Sequence, residues 1–267
     1  MSESPADPTK RFSDRVENYV KYRPRYPREV LDALRTECGL TPSSVIADVG
    51  SGTGILTEML LANGNVVFAV EPNADMREAA ERSLAGRSSF RSVAGRAEAT
   101  TLGDSSVDIV TAGQAFHWFE RDAARREFIR ILRPGGWVAL VWNEREADAT
   151  PFLVAYEELL RRHSPDYLAV DHRQIDEEVL DAFFGAGGYR SKAFRNRQDF
   201  DYEGLEGRLL SSSYAPMPGH PNHAPMLKDL AAMFRTHARD GRVTFEYRTI
   251  LFYGRLAKAG ADERPRR

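Results

Sequence analysis

The chain of 267 residues holds one cysteine, Cys38, which excludes an internal disulfide framework and a cysteine-cluster metal site. Chemistry without disulfides fits a reducing cytoplasm. Long hydrophobic runs are missing too: stretches such as Val66–Val70 fall far short of the ~20 apolar residues that span a bilayer. The opening MSESPADPTK is polar and has no signal-peptide pattern. Neither sign of charge is in excess, with 37 Lys+Arg against 39 Asp+Glu and a formal net charge of −2. A general binder of nucleic acid or anionic membrane needs a basic surplus that this chain lacks. What remains is an ordinary soluble composition, 42% hydrophobic and 28% charged. The expectation is a cytoplasmic monomer or homodimer, built as one large domain or one domain with an insertion, with neither nucleic acid nor membrane as partner.

Residues 1–10 read as a disordered tail and 257–267 as another. Phe12, Val16, Tyr19 and Val20 recur at helical spacing, predicting a short helix that ends near Tyr22, before Pro24. Pro27 then opens a second helix whose apolar face is Val30, Leu31, Leu34 and Cys38, stopped by Gly39. From residue 45 strands and helices alternate. Strands are predicted at 45–49, 66–70, 90–93, 107–111 and 137–142, with helices near 53–63, 76–84 and 124–132 between them, and a turn at Arg133-Pro134-Gly135-Gly136. Continuous apolar strands separated by amphipathic helices predict an α/β fold, a parallel sheet covered on both faces.

The pattern changes after residue 143. Helices are expected at 151–163 and 176–185, then a strand YRSKAFRNRQDF, then two helical stretches around the proline-rich loop YAPMPGHPNHAP. The last element, VTFEYRTILFYG, alternates Val243, Phe245, Tyr247, Thr249, Leu251 and Tyr253 on one face and reads as a long strand. The resulting division is a core over 11–145 opened by an N-terminal lid, a helical insertion with one edge strand over 146–240, and a terminal core strand over 241–256.

Chemistry concentrates in VIADVGSGTG and the following VVFAVEPN. Gly50, Gly52 and Gly54 lie between a buried strand and a helix start, where the chain turns tightly, a ligand can approach the backbone, and unpaired N–H groups favour an anion. Glu71 ends the next strand, 23 residues after Asp48, where a carboxylate can accept both hydroxyls of a ribose. Together they call for a nucleoside at the carboxyl ends of the strands. A dinucleotide loop G-x-G-x-x-G needs glycine at position 55, where this chain has Ile55, and no Gly-Lys-Ser/Thr of a phosphate-binding loop occurs. S-adenosylmethionine, whose only anionic group is one carboxylate, fits better.

The segments DVGSGTG, EPNADM, GRAEA, QAFHWF and LRPGGWVALVWN resemble class I S-adenosylmethionine-dependent methyltransferases, most of all the methyltransferase type 11-like branch related to trans-aconitate methyltransferases. FSDRVENYVKYRPRYP resembles that branch's N-terminal lid. The resemblance implies a Rossmann-like seven-stranded sheet, mostly parallel, with its last strand antiparallel and the helical insertion acting as lid. It also implies site roles: Asp48, Gly50, Ser51 and Gly52 around the methionine part, Glu71 on the ribose, Pro72 shaping the adenine pocket, and Ala97 and Glu98 flanking the adenine. Many members carry Asp where this chain has Arg96; Glu98 or backbone atoms would then contact the adenine. Gln114 and Phe116 are expected near the methionine moiety and the methyl group, with Tyr19, Tyr22 and Arg23 closing over the site and Arg23 pairing with the cofactor carboxylate.

Methyl transfer needs an aligned nucleophile and exclusion of water, and no metal. His117 in QAFHWF is either the base that deprotonates the acceptor or part of an aromatic wall with Phe116 and Trp118. His220 and His223 form H-x-x-H without a nearby acid, a weak metal signal whose ordinary reading is surface histidines. Arg190, Lys192, Arg195 and Arg197 would receive an anionic acceptor or, as charges on an edge strand, block aggregation. Met217, Met226 and Met233 are expected to pack in the core or as a cap. The expected activity is methylation of a small molecule, at the oxygen of a carboxylate or hydroxyl. The alternatives are a non-catalytic S-adenosylmethionine-binding sensor or partner subunit and, opposed by Ile55, an NAD-dependent oxidoreductase.

Overall fold

A computed structural model describes residues 21–164, 167, 177–212 and 214–256. Of the helix predicted before Pro24, only Lys21 and Tyr22 are among them, and both are helical. Tyr19 and both predicted tails lie outside the described residues. The alternating part runs α1 (Glu29–Cys38), β1 (Val45–Val49), α2 (Ile55–Ala62), β2 (Val66–Val70), α3 (Ala74–Ser83), β3 (Phe90–Val93), β4 (Val107–Gly113), a 3-10 turn (Phe116–Trp118), α4 (Arg121–Ile131) and β5 (Leu132–Arg145). There follow α5 (Pro151–His163), α6 (Glu177–Phe184), β6 (Tyr189–Phe200), α7 (Tyr202–Leu210), α8 (His223–His237) and β7 (Val243–Gly254).

One seven-stranded sheet has the order β3-β2-β1-β4-β5-β7-β6. β1 pairs in parallel with β2 and β4, β2 with β3, and β4 with β5, while the last strands are antiparallel. The chain order reverses at β1 and β4, so the loops leaving these two strands diverge at their carboxyl ends. Such a switch point opens a ligand crevice in α/β sheets.

By contacts the chain divides into two compact units. The core unit takes 26–142, 177–194 and 250–256; the second unit takes residues 21–25, 143–164, 167, 195–212 and 214–249. Side chains of the core unit fill both faces of the sheet. Ala47, Val49, Val110, Val138 and Leu140 join one apolar cluster with Phe128 of α4 and Phe183 of α6. Ile46, Ile109, Ala139 and Val141 join the other, with Leu34 of α1 and Leu60 of α2. Burial on both sides is why these strands read as unbroken apolar runs.

The turn predicted at 133–136 is instead a bulge inside β5. Leu132 already pairs with Val107, and the next paired residues are Ile109 and Trp137, so Arg133 to Gly136 loop out of the ladder with Gly135 at φ +80°. The bulge lets a Pro-Gly-Gly stretch interrupt a strand without ending it. β6 lies at the sheet edge. Its Lys192 contacts Glu37 of α1 at 2.6 Å, and Arg190 approaches the same carboxylate at 3.7 Å. These two cations are thus engaged within the core unit, in accord with their reading as edge-strand charges.

The second unit has its own apolar cluster. Phe152, Tyr156 and Leu160 of α5, Leu205 and Leu209 of α7, and Met226 and Leu230 of α8 surround Phe245 and Tyr247 of β7. The alternation read in β7 is observed, with Val243, Phe245, Tyr247, Thr249, Leu251 and Tyr253 all buried. Met226 and Met233 are buried as expected, but Met217 is 41% exposed. It sits in a turn closed by the His220 N–H on its carbonyl (3.0 Å), where no helical face exists to bury it.

Cys38 packs on the α1 face of the core unit, where burial pushes its thiol up to about 12. The thiol stays protonated at pH 8. Titration with a thiol-disulfide reagent at that pH is expected to count no reactive thiol in the native chain and one after unfolding in guanidinium.

Candidate functional site

β1 delivers Asp48 and then the glycine loop. Gly50 and Gly52 adopt φ of +68° and +56°, left-handed values that other residues enter at a cost. The two glycines serve different ends. A Cβ on Gly50 would fall 2.5 Å from the Ala115 Cβ, so here the loop after β1 touches the loop after β4. A Cβ on Gly52 would meet only the Met76 Sδ, at 3.9 Å, so the position is open and its backbone accessible to a ligand. The loop is tied to β2 by Gly50 and Ser51 N–H groups that donate to the Val70 carbonyl at 2.8 and 3.2 Å. Gly54 caps α2.

Glu71 follows β2 and is 6% exposed. Its Oε2 accepts the Gly52 N–H and its Oε1 the Asn73 N–H, both at 2.8 Å. Asn73 in turn caps α3 by accepting the Met76 N–H at 2.9 Å. Burial raises the Glu71 pKa, and the two backbone bonds work against that rise. A carboxylate has about four acceptor positions. Two are filled here, leaving each oxygen one for an incoming hydroxyl.

Asp48 is fully buried, and its two oxygens accept the hydroxyls of Thr57 in α2 (2.6 Å) and Thr111 in β4 (2.9 Å). Burial pushes its carboxyl up to about 6 against these bonds, with Glu71 adding to the rise. Asp48 thus braces β1, α2 and β4 beneath the glycine loop. Sequence reasoning missed both threonines; a hydroxyl in the first turn of the helix after a glycine loop was the available signal for Thr57.

Pro72 is exposed beside Glu71. Ala97 and Glu98 occupy a tight turn in which Arg96 and Ala99 exchange backbone bonds at 3.1 Å. Ala97 is buried, and the Glu98 Oε1 accepts the Glu120 N–H at the start of α4 (2.8 Å), with the exposed Arg96 3.6 Å from its other oxygen. Gln114, just past β4, sits at φ +54° with its N–H on the Val141 carbonyl (3.0 Å). Phe116 is 1% exposed, with its ring 4.7 Å from Phe183 and 6.0 Å from Phe119. It pins the turn from below. His117 is half-buried, its ring 4.6 Å from Trp118 and 5.1 Å from Trp142.

The core unit therefore gathers Asp48, Gly50, Ser51, Gly52 and Glu71 about the loop after β1, with Glu71 bonded to Gly52, and holds Gln114, Phe116 and His117 on the loop after β4. Tyr22 and Arg23 belong to the second unit. The Tyr22 ring lies on Gly207 of α7, where a Cβ would be 2.0 Å from it, and its hydroxyl donates to Glu203 at 3.2 Å. Arg23 donates to the Ser211 carbonyl at 2.9 Å. His220 and His223 are engaged in their own loop: the ring of His220 accepts the Asn222 N–H at 3.1 Å, and His223 bonds the Pro216 carbonyl at 2.8 Å. Among the described residues no group of three or more His, Cys, Asp or Glu is placed to hold a metal.

A family model described as a methyltransferase domain matches residues 47–140, which contain this network. An uncharacterized methyltransferase of Schizosaccharomyces pombe is 31% identical over 207 residues, covering 75% of this chain and 77% of the relative. The chain belongs to the class I S-adenosylmethionine-dependent methyltransferases. A second S. pombe relative, an uncharacterized methyltransferase-like protein, is 34% identical over 161 residues, and the match spans 59% of this chain and 60% of that one. An Anaeromyxobacter dehalogenans structure assigned as a type II methyltransferase superposes with a TM-score of 0.65 at 23% identity, over 89% of this chain and all of that one, which shows the shared fold.

The cofactor of this family is S-adenosylmethionine, and the residues present fit it. The methyltransferase loop leaves the Gly52 backbone open, Glu71 keeps two acceptor positions for vicinal hydroxyls, and the buried Thr53 hydroxyl has no hydrogen-bond partner among the described residues. Two buried carboxylates also suit a ligand that carries a sulfonium and an ammonium group.

Asp48 gives the network a pH signature. Its folded pKa lies above the ordinary 3.8, so the folded chain binds the proton more tightly. The burial penalty is absent below about pH 4 and fully present above about pH 6, where it costs on the order of 3 kcal/mol. Urea unfolding of the wild type and Asp48→Asn is expected to show the wild type losing stability relative to the variant as pH rises through that window. A difference independent of pH would mean that Asp48 is not buried as described.

Proposed function

We propose that the chain transfers the methyl group of S-adenosylmethionine to an oxygen of a small-molecule acceptor. The observation that carries this reading is the Glu71 carboxylate, bonded to the Gly52 N–H yet with acceptor capacity left over. When bound, the cofactor supplies a methyl group already activated by a positive sulfur. The protein's part is then to hold, align and exclude water. Glu71 would hold the ribose hydroxyls. Gly50, Ser51 and Gly52 would border the methionine part, with Asp48 acting from beneath by fixing the loop. Pro72 and the Ala97–Glu98 turn would flank the adenine. The Glu98 carboxylate already accepts the Glu120 N–H, so backbone atoms of the turn are the better candidates for the adenine edge.

Gln114 would present its backbone near the methionine moiety, in a left-handed conformation that a non-glycine residue holds only where its surroundings enforce it. His117 is best placed as a wall residue. Its ring is flanked by two tryptophans, an arrangement that fixes a ring against an acceptor without calling on its proton. A formal charge of −2 supports a small acceptor over a nucleic-acid strand, and absence of disulfide pairing supports a cytoplasmic setting.

Calorimetry with S-adenosylhomocysteine is expected to show binding that weakens about 10- to 100-fold in Glu71→Ala, as charged hydrogen bonds to the ribose are lost. Unchanged affinity would remove the ribose assignment. Methyl-transfer assays with a radiolabelled cofactor over acids, phenols and amines separate an enzyme from a cofactor-binding sensor, which would bind and turn nothing over. With an acceptor in hand, His117→Ala is expected to lower kcat only a few-fold. A loss of ~10² or more, with a pH profile that loses its acidic limb, would make His117 the base.

A further inference from the structure

The second unit buries a cation, Arg208, that no acid among the described residues neutralises. Arg208 of α7 is 5% exposed. Among the described residues its guanidinium reaches neutral oxygens: the Tyr247 hydroxyl at 3.3 Å, the Ser212 hydroxyl at 3.1 Å and the Ser211 hydroxyl at 3.4 Å. Its carbon lies 5.9 Å from the Phe245 ring, and no carboxylate among the described residues is its partner. Arg145 at the end of β5 is also buried. It donates to Glu157 (2.7 Å) and to the Tyr167 hydroxyl (2.8 Å), and its Nε is left with no hydrogen-bond partner among the described residues. The fully buried Tyr156 hydroxyl is likewise unpartnered, and the Arg145 guanidinium lies 5.0 Å from the Tyr156 ring. Glu157 is shared with Arg161, 3.5 Å from its other oxygen.

A buried guanidinium without a counter-ion costs several kcal/mol. Replacing it by an apolar residue of similar length would remove that cost, so a ligand is the natural counter-ion. We infer that the second unit contains an oxyanion site in which Arg208, helped by Arg145 and the Tyr156 hydroxyl, receives a carboxylate of a small-molecule ligand. A carboxylate fits better than a phosphate. Glu157 already offsets Arg145, so one negative charge balances Arg208, and the planar guanidinium matches a planar carboxylate. Tyr214 feels the same charge: burial acts to raise its pKa, yet Arg145, Arg208, a hydrogen bond with Ser212 and Arg23 together hold it below the ordinary tyrosine value. The site rests on the buried charge and stands independently of the methyltransferase reading.

Calorimetry on the full chain at fixed ionic strength tests this, with acetate, succinate and citrate as probes, succinamide as the neutral control and inorganic phosphate as the competing oxyanion. At least one carboxylate is expected to bind, succinamide not to bind, and phosphate to bind more weakly. Arg208→Met is expected to lower that affinity at least tenfold while leaving the melting temperature of the ligand-free chain unchanged or higher, because a buried charge has been removed. A carboxylate that raises the wild-type melting temperature but not that of Arg208→Met supports the site independently. No carboxylate binding to the wild type, equal binding to the variant, stronger phosphate binding, or an unfolded Arg208→Met beside a folded Arg208→Lys would overturn it and make Arg208 a structural cation. S-adenosylhomocysteine is measured in parallel. Its failure to bind the wild type would sink the methyltransferase reading and leave the oxyanion site standing.

Discussion

A single carboxylate shared by two backbone amides organises the candidate site. Glu71 takes the Gly52 N–H on one oxygen and the Asn73 N–H on the other, and so ties the loop after β1 to the start of α3. The tie is costly, since burial destabilises the charged form, and the backbone bonds recover part of that cost. Asp48 makes the cost larger. It is a second buried acid close enough for Glu71 to raise its pKa, and it stays in place through two threonine hydroxyls from α2 and β4. Two acids held beside a turn of glycines, bonded to backbone amides and threonine hydroxyls, create a local negative potential. A neutral sugar alone would gain little from that potential. A ligand with ribose hydroxyls at one end and positive sulfur and ammonium groups at the other gains at both, which is why the electrostatics and the family membership agree.

The sequence exposed this arrangement wherever local signals and sheet pairing coincide. β1, β2 and β3 have the limits predicted for them; β1 and β2 are short runs rich in valine that end at Gly50 and Glu71. β5 was predicted to start at Trp137 because Arg133-Pro134-Gly135-Gly136 carries every local mark of a turn. Only the partner strand shows that Leu132 already belongs to the ladder, and partner identity is not written in the strand itself. The position of Glu71 was legible in its spacing from the glycines, but the partners of Asp48 were not: Thr57 follows nine residues later and Thr111 sixty-three. Met217 shows the same limit, since methionine spacing suggested packing and the proline-rich turn removed the face it needed.

Arg208 lies at the far end of that scale. In the sequence it is one cation in a helical stretch, with nothing local to set it apart from the exposed Arg235. Its burial is created by residues remote from it, by Phe245 and Tyr247 of β7 and by the clusters from α5 and α8 packed around them. Sequence patterns report what a residue tends to do; they do not report which neutral groups the fold will gather about it.

The chain handles its buried charges in two ways, and the contrast gives Arg208 its meaning. Glu127 of α4 is buried as well, yet Arg130 and the Thr100 hydroxyl and N–H satisfy it so fully that, against the cost of burial, its carboxyl falls to about 2. That pair is complete within the fold and stabilises it as acids paired in the native state do. Arg145 is similarly answered by Glu157. Arg208 is given three hydroxyls and an aromatic face instead, groups that orient a guanidinium without discharging it. If its purpose were stability, an acid at either serine position would have served better, and a methionine in its own place would have served without any acid. A charge that is oriented and left unbalanced is preorganised for an anion from outside, because orientation lowers the cost of binding while imbalance keeps the attraction.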